Sequence, residues 1–135
     1  MSTNAADLPV RPGEEPWTDA ELKEVRAELE SEVATLRADL AKAASDIAER
    51  LSDAVRDAGD DTADAGTKAF EREHELALTQ NARDLLDQGE RALARIDAGT
   101  YGVCESCGKP IGKARLMAFP WATLCVACKQ REERR

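Results

Sequence analysis

Four cysteines in two closely spaced pairs are the residues of this sequence best suited to chemistry. Cys104 and Cys107 form one CxxC pair, Cys125 and Cys128 form a second, and seventeen residues separate the pairs. Two residues between thiolates allow a tight turn to direct both sulfurs at one metal ion, and two such turns complete a tetrahedron. Four thiolates leave no coordination position open, so the spacing predicts one structural zinc ion rather than a catalytic one. Redox disulfides or an iron–sulfur cluster are the alternatives.

The rest of the sequence shows no arrangement typical of catalysis. There is no Ser-His-Asp pattern, no glycine-rich phosphate loop and no carboxylate pair isolated in apolar surroundings. His74 is the only histidine, and no ligand-like residue stands at helical spacing from it. We therefore expect that the protein is not an enzyme.

Charge is distributed unevenly along the chain. The net charge is -8, with 24 acidic and 12 basic residues in positions 1–100 but 3 acidic and 7 basic residues in positions 101–135. General nucleic-acid binding requires clustered cations that neutralise phosphates, so the acidic part of the chain argues against it. The basic segment alone is a weak signal, because four thiolates on one divalent ion subtract two charges. We expect no direct sequence-specific DNA binding.

The sequence contains no apolar run near the ~20 residues of a membrane span, and its first residues lack the basic and apolar regions of a secretory signal. We therefore expect a cytoplasmic protein that contacts no membrane. Paired cysteines in a reducing cytosol are more often metal ligands than disulfides.

A long amphipathic helix is predicted to begin near Thr18. Thr18 and Glu21 have the spacing of a capping box, and Trp17 and Leu22 flank it as a hydrophobic staple does. No Gly or Pro interrupts the chain from there to Ala58. The apolar residues fall three or four positions apart on one stripe: Leu22, Val25, Leu29, Val33, Leu36, Leu40, Ala43, Ile47, Leu51 and Val55. A single stripe of this length requires a partner helix.

The partner helix is predicted to follow a turn-rich stretch over residues 59–67. It should end near Ala98, with Gly99 as its stop. Two stripes joined by a short link favour an antiparallel helical hairpin. The predicted second stripe, which Leu86 and Leu93 widen, consists of Leu78, Ala82, Leu85, Gly89, Ala92 and Ile96.

Carboxylates crowd the predicted turn, which we call the acidic tip (residues 57–66). Asp57, Asp60, Asp61 and Asp64 lie within eight residues of one another. At the end of a rigid helical arm they would form a compact negative point. The alternative interpretation is that Asp and Gly are simply good turn formers.

The segment TYGVCESCGKPIGKARLMAFPWATLCVACK closely resembles the zinc finger of the DksA/TraR family of bacterial RNA polymerase-binding proteins. The pattern CxxCGxxI, followed by RL, a proline and CxxC, is far more specific than generic four-cysteine spacing. FEREHELAL and DTADAG also resemble the family. The resemblance implies a mostly α fold, in which a long antiparallel coiled-coil hairpin joins a small zinc-finger base and a C-terminal helix. Residues 1–16 hold three of the five prolines and show no periodicity, so we expect a flexible leader there. The hairpin is expected over 17–98, and the finger with its helix over 99–135.

The resemblance also implies a function as a transcription regulator. Family members insert the hairpin into the secondary channel of RNA polymerase, so that the acidic residues of its tip approach the catalytic magnesium. The family's D-x-x-D-x-A motif corresponds here to Asp61, Asp64 and Gly66, with Gly in place of the final Ala, and Asp60 lies beside it. These four residues are the expected polymerase contacts.

Response to guanosine tetraphosphate is expected to be weak or absent. Responsive members of the family use basic residues, and two of those positions fall on Gln88 and Phe119 here, whereas Lys129 keeps a basic group. Each lost charge-assisted hydrogen bond is worth ~1.5–3 kcal/mol.

Two other function classes remain open. The chain could be a structural or interaction protein in which the zinc finger staples a coiled coil; a stable dimer would favour that reading, because we expect the polymerase regulator to be a monomer. It could also be a nucleic-acid-binding zinc ribbon, which would require salt-dependent DNA binding by residues 101–135.

Overall fold

The structure is a computed structural model that describes residues 5–56 and 62–134, with side chains left out at 54–56 and 62–70. A short 3₁₀ turn, Ala5–Asp7, precedes four α-helices: α1 (Asp19–Arg56), α2 (Thr62–Ala98), α3 (Lys113–Ala118) and α4 (Val126–Glu133). No strand occurs in these described residues, and their only extended pairing is the isolated antiparallel bridge between Val103 and Pro110. The predicted fold class, mostly α with two long helices and a C-terminal helix, is confirmed.

The start of α1 follows the sequence signal. The Thr18 N–H donates to Glu21 Oε1 (3.0 Å), and the Glu21 N–H donates to Thr18 Oγ1 (3.1 Å). These two reciprocal bonds satisfy amides that the first turn of a helix leaves without partners. Trp17, directly before the box, is only 2% exposed. The predicted capping box is confirmed.

The second helix begins earlier than predicted and ends where predicted. Residues 59–67 were expected to form a turn, but α2 begins at Thr62 and therefore includes Gly66. The high helix propensity of the neighbouring alanines outweighs the cost of ~1 kcal/mol for one Gly in a helix. At the other end Gly99 has φ +79°, and the Thr100 N–H donates to Arg95 O (2.9 Å). This is the glycine stop that the sequence indicates.

The chain divides into two compact units. The metal unit comprises residues 1–33 and 87–135, and the two-helix unit comprises residues 34–86. In the metal unit, α1 and α2 run antiparallel, since Arg26 pairs with Asp97 (2.7 Å) while Val33 lies against Gly89. Its core contains Ala5, Leu8, Trp17, Val25, Leu29, Ala92, Ile96, Tyr101, Ile111 and Leu116.

The two-helix unit has a shallower seam than the predicted stripes suggest. On α1, Leu36 is buried, but Leu51 is 53% exposed. On α2, Leu78 and Leu85 are 56% and 40% exposed, so their predicted place in the seam is wrong. The half-buried positions of this part of α2 are instead Glu75, Thr79, Ala82 and Leu86. Ala82 and Leu86 belong to both the predicted and the observed series, Leu86 having been expected to widen the stripe. Apolarity alone therefore misplaced the stripe only at Leu78 and Leu85, each one residue from a half-buried position.

The N-terminal segment contributes to the core of the metal unit. The sequence predicted a flexible leader over residues 1–16, yet Ala5 and Leu8 are 0% and 3% exposed. Val10 packs against the same cluster. The structure thus differs from the expectation for residues 5–16, because three isolated apolar side chains without periodicity give no sequence signal of burial.

Candidate metal centre

The first cysteine pair lies on a short turn held by backbone hydrogen bonds. The Cys104 N–H donates to Lys109 O (2.9 Å), and the Gly108 N–H donates to Cys104 O (3.0 Å). The Ile111 N–H donates to Gly102 O (2.8 Å) and closes the base of the turn. This local ladder fixes the backbone around Cys104 and Cys107 without help from a regular strand.

The second pair is positioned by the start of α4. Cys125 is the N-cap residue in an extended conformation, and Cys128 lies in the first turns of the helix. The Lys129 N–H donates to Cys125 O (2.9 Å). The Cys125 N–H points at the other pair, with its nitrogen 3.4 Å from Cys104 Sγ.

All four sulfur atoms converge. The four Sγ atoms lie within 4.8 Å of one another, and those of Cys107 and Cys125 are 3.8 Å apart. A tetrahedron with Zn–S bonds of about 2.3 Å has S···S edges of roughly 3.8 Å. None of the four cysteines is joined in a disulfide, and the 3.8 Å separation between Cys107 and Cys125 far exceeds a disulfide bond of about 2.05 Å. The donor set and its spacing fit one structural zinc ion, with no ligand position left for a reactant.

The electrostatics around the sulfurs favour a thiolate at Cys104. Burial raises the pKa of this thiol, but hydrogen bonds from the backbone N–H groups of Cys107, Cys125 and Ser106 outweigh that effect, and the pKa falls to about 6. At Cys128, a hydrogen bond to the Cys125 side chain, together with burial, raises the pKa to about 11. Cys104 is therefore the more acidic of these two thiols.

Glu105 joins the two halves of the finger and ties the finger to α2. The Glu105 N–H, within the first cysteine pair, donates to Thr123 O (2.9 Å), two residues before the second pair. The Glu105 carboxylate pairs with Arg91 (3.3 Å) and with Arg95, both on α2. Glu105 thus connects the first cysteine pair to the second pair and to a long helix.

Buried aromatic packing supports the same region. Tyr101 is 1% exposed, and its hydroxyl donates to Pro120 O (2.8 Å). Burial raises the pKa of this phenol, so the hydroxyl stays protonated and available as a donor. The Trp17 and Tyr101 rings lie 6.1 Å apart, centroid to centroid, which connects the start of α1 to the finger.

The N-terminal segment supplies a helix-capping residue that the sequence analysis missed. Glu14 accepts hydrogen bonds from the backbone N–H groups of Lys113 (2.9 Å) and Ala114 (3.0 Å), the first residues of α3. The bond from Ala114 is the largest influence on this carboxyl and, despite some desolvation, its pKa is lowered. One signal was available in the sequence: Gly112, before α3, has no side chain with which to cap the helix.

The positions named for nucleotide response come together in one groove. Gln88, Phe119 and Lys129 all line an open groove of about 710 Å³ in the metal unit. Phe119 is 48% exposed, and its ring meets that of Trp121 edge-on at 5.8 Å. The lining of the groove therefore includes both the exposed Phe119 ring and Lys129, the basic residue that the sequence retains.

The acidic tip is not tested by the structure. Asp60 and Asp61 lie outside the described residues. Asp64 and Gly66 belong to α2, in the part of the helix whose side chains are left out.

Among the helices of the described residues, none combines the length and apolarity that crossing a membrane requires.

Comparison with known proteins begins with the finger. Residues 99–134 match the prokaryotic dksA/traR C4-type zinc finger family. The four cysteines that converge in the structure all fall within this match.

Curated relatives match a longer segment. The RNA polymerase-binding transcription factor DksA of Caulobacter vibrioides is 45% identical over 65 residues, which are 48% of this chain and 46% of that protein. The protein of the same name from Escherichia coli is 41% identical over 63 residues, or 45% of this chain and 42% of that protein. The chain thus matches about half the length of these curated relatives.

Solved structures extend the likeness to most of the chain. Transcription factor DksA2 from Pseudomonas aeruginosa has a TM-score of 0.67 and 29% identity, covering 86% of this chain and 85% of its own. The RNA polymerase binding protein and transcriptional regulator from Chlamydia trachomatis has a TM-score of 0.53 and 26% identity, covering 88% of this chain and 94% of its own. Finger, curated relatives and structural neighbours together confirm the resemblance to the DksA/TraR family, to which the zinc finger of this chain belongs.

Proposed function

We propose that this chain is a transcription regulator that binds bacterial RNA polymerase. The observation that carries the proposal is the structural likeness to transcription factor DksA2, which spans 86% of this chain rather than the finger alone. The curated relatives are named for polymerase binding. In this proposal the zinc ion is a structural cross-link, and the polymerase contacts lie elsewhere in the chain.

The acidic tip is the proposed contact with the polymerase. In this proposal the hairpin enters the polymerase through its secondary channel and brings the tip close to the catalytic centre. Its residues are Asp60, Asp61, Asp64 and Gly66. Support comes from the match of Asp61 and Asp64 to the family's tip motif and from the antiparallel course of α1 and α2 within the metal unit. Gly66 replaces the motif's final Ala, and a glycine loosens the backbone at that position.

In vitro transcription tests the tip directly. Asp61→Asn combined with Asp64→Asn should abolish the change in promoter-complex lifetime that the wild-type protein causes. The matched control is Asp39→Asn with Asp53→Asn, which removes the same charge from exposed positions of α1 and should behave like wild type. A tip variant that still binds polymerase and shifts the lifetime as wild type does would refute the mechanism.

The charges that line the groove argue for weak guanosine tetraphosphate binding. Its lining includes the cations Arg115 and Lys129 but also three carboxylates, Glu105, Glu132 and Glu133. Arg115 already donates its Nε–H to Leu124 O (3.1 Å). A polyphosphate would thus meet more acidic than basic side chains, which costs electrostatic free energy.

A gain-of-function experiment tests this part of the proposal. Gln88→Lys combined with Phe119→Arg should raise the affinity of the polymerase complex for the nucleotide by at least about tenfold, since each charged hydrogen bond contributes roughly 1.5–3 kcal/mol. Isothermal calorimetry measures the affinity. Micromolar binding by the wild-type complex that depends on Lys129 would contradict the proposal.

One observation favours the alternative function, a zinc-stapled interaction protein. Leu51, Leu76, Leu78 and Leu85 of the two-helix unit are all 40% exposed or more. Such side chains could pair with another helix. Sedimentation separates the two functions: the polymerase regulator is expected to be a monomer, and a stable dimer would favour the alternative.

A further inference from the structure

Helix α3 depends on a residue far from it in sequence. It has six residues, and its N-cap residue, Gly112, makes no side-chain cap. The amides of a first helical turn need acceptors. Glu14 provides them, with Oε1 accepting from Lys113 and Oε2 from Ala114. A carboxylate almost a hundred residues upstream therefore acts as the helix cap.

The local geometry disfavours a capping side chain at position 112 itself. A Cβ there would lie 2.9 Å from Arg11 Cδ, and Gly112 has φ +114°, which residues with a side chain rarely adopt. The Arg11 N–H also donates to Glu14 Oε1 (2.8 Å) and holds the carboxylate in place. Gly112 therefore cannot readily be replaced by a capping residue, and Glu14 supplies the cap in its place.

The other face of α3 connects to the second cysteine pair. Arg115 donates its Nε–H to Leu124 O (3.1 Å), and Leu124 directly precedes Cys125. Leu116 of the same helix is 0% exposed and anchors it in the core. A shift of α3 would therefore move the backbone from which Cys125 projects.

We propose that Glu14 is a positioning residue for the metal centre. By capping α3 it fixes Arg115, and through Arg115 it holds the backbone before Cys125 in the arrangement that zinc requires. This role concerns the integrity of the centre and does not depend on polymerase binding. Through Glu14, the segment 5–16 would thus help to hold the metal centre, a role that its sequence does not reveal.

The rate of zinc transfer from the full-length, zinc-loaded protein to a chromogenic chelator tests the proposal. Glu14→Ala should raise this rate about fivefold, the factor that corresponds to the loss of one helix cap. Glu14→Gln keeps one acceptor oxygen and should have a smaller effect. The matched control is the neighbouring, exposed Glu15, and Glu15→Gln should leave the rate unchanged. Equal rates for Glu14→Ala and Glu15→Gln would overturn the proposal.

A second pair of variants separates positioning from a general loss of stability. Thr18→Ala removes the cap of α1 and should lower overall stability by a similar amount without accelerating zinc transfer as much. The cadmium-113 resonance of the cadmium-substituted protein should move in Glu14→Ala and stay in place in Thr18→Ala. Equal acceleration by the two variants, with no movement of the resonance, would show that Glu14 acts only on global stability.

The route through Arg115 has its own test. If Glu14 acts through this side chain, Glu14→Ala should change the zinc transfer rate much less in an Arg115→Met background than in wild type. Independent, multiplicative effects of the two substitutions would contradict the proposed route.

Discussion

Two leucines on the same helix show how differently the two units are built. Leu29, in the metal unit, is 1% exposed, whereas Leu51, in the two-helix unit, is 53% exposed. Both belong to the apolar stripe of α1 and are equally apolar in the sequence. The difference lies in their neighbours: the metal unit adds the N-terminal segment, the finger and α3 to the two long helices, while the described residues of the other unit are two helices alone.

The comparison teaches that a helical stripe is buried only where enough elements cover it. Two helices alone hide a narrow seam, and residues beside the seam stay accessible. The metal unit closes its core with Trp17, Tyr101 and Leu116, which come from three separate parts of the chain. We therefore expect most of the folding free energy in the metal unit.

Zinc removal should cause the largest loss of stability, and this loss should be confined mainly to the metal unit. Structural zinc binding in small domains contributes about 10 kcal/mol or more at neutral pH. A chelator should therefore abolish amide protection over residues 99–134, and hydrogen-exchange mass spectrometry measures this by peptide. Unchanged exchange in the finger after verified zinc loss would show that its core folds without the metal.

The two leucines provide the next largest contrast. Leu29→Ala should lower the free energy of unfolding by about 2–5 kcal/mol, because it opens a cavity in a closed core. Leu51→Ala should cost at most about 0.5 kcal/mol, the usual range for an exposed site. Urea unfolding followed by circular dichroism measures both. Similar losses for the two variants would mean that the units do not differ in packing as described.

A close helix contact in the metal unit predicts an intermediate effect. A Cβ at Gly89 would lie 2.9 Å from Val33 Cγ2. Gly89→Ala should therefore cost about 1 kcal/mol net, because overpacking of about 1–3 kcal/mol exceeds the gain of up to about 1 kcal/mol in helix propensity. The same urea titration should show that Val33→Ala added to this variant costs less than Val33→Ala alone. A more stable Gly89→Ala single variant would contradict the close contact.

The smallest effect is expected in the two-helix unit. Arg50 pairs with Glu75, with side chains 61% and 32% exposed. Exposed ion pairs contribute about 0–1 kcal/mol and are screened by salt. Arg50→Gln should thus lower stability slightly at low salt and hardly at all at high salt, as thermal unfolding at two ionic strengths would show. A loss above this range that persists in high salt would indicate a tighter unit than the burial suggests.

Local signals were the part of the fold that the sequence predicted well. The Thr18 capping box, the Gly99 stop and the convergence of two CxxC pairs each depend on a few neighbouring residues. Their chemistry is nearly independent of the rest of the chain, since backbone amides and thiolates need specific partners wherever they occur. The family resemblance then rested on the residues around the cysteines.

Contacts between distant segments escaped prediction. Leu78 and Leu85 were assigned to the seam but are exposed, and the half-buried Thr79 was not assigned to it, because 3.6-residue periodicity fits two adjacent faces. Gly112 indicated that α3 lacks a side-chain cap of its own, but nothing in the sequence pointed to Glu14 as the substitute, since its partners are backbone amides almost a hundred residues away. Such contacts are decided by tertiary packing, which overrides local pattern.

Site-specific photocrosslinking tests the central functional claim most directly. A photoreactive benzoylphenylalanine in place of Ala65, within the acidic tip, should crosslink to the active-centre region of RNA polymerase in the zinc-loaded complex. The same group in place of Ala27, an exposed position of α1 in the metal unit, should give no crosslink there. Crosslinks to the active-centre region from position 27 but not from position 65, or none from either in a complex shown to form, would contradict tip-first binding.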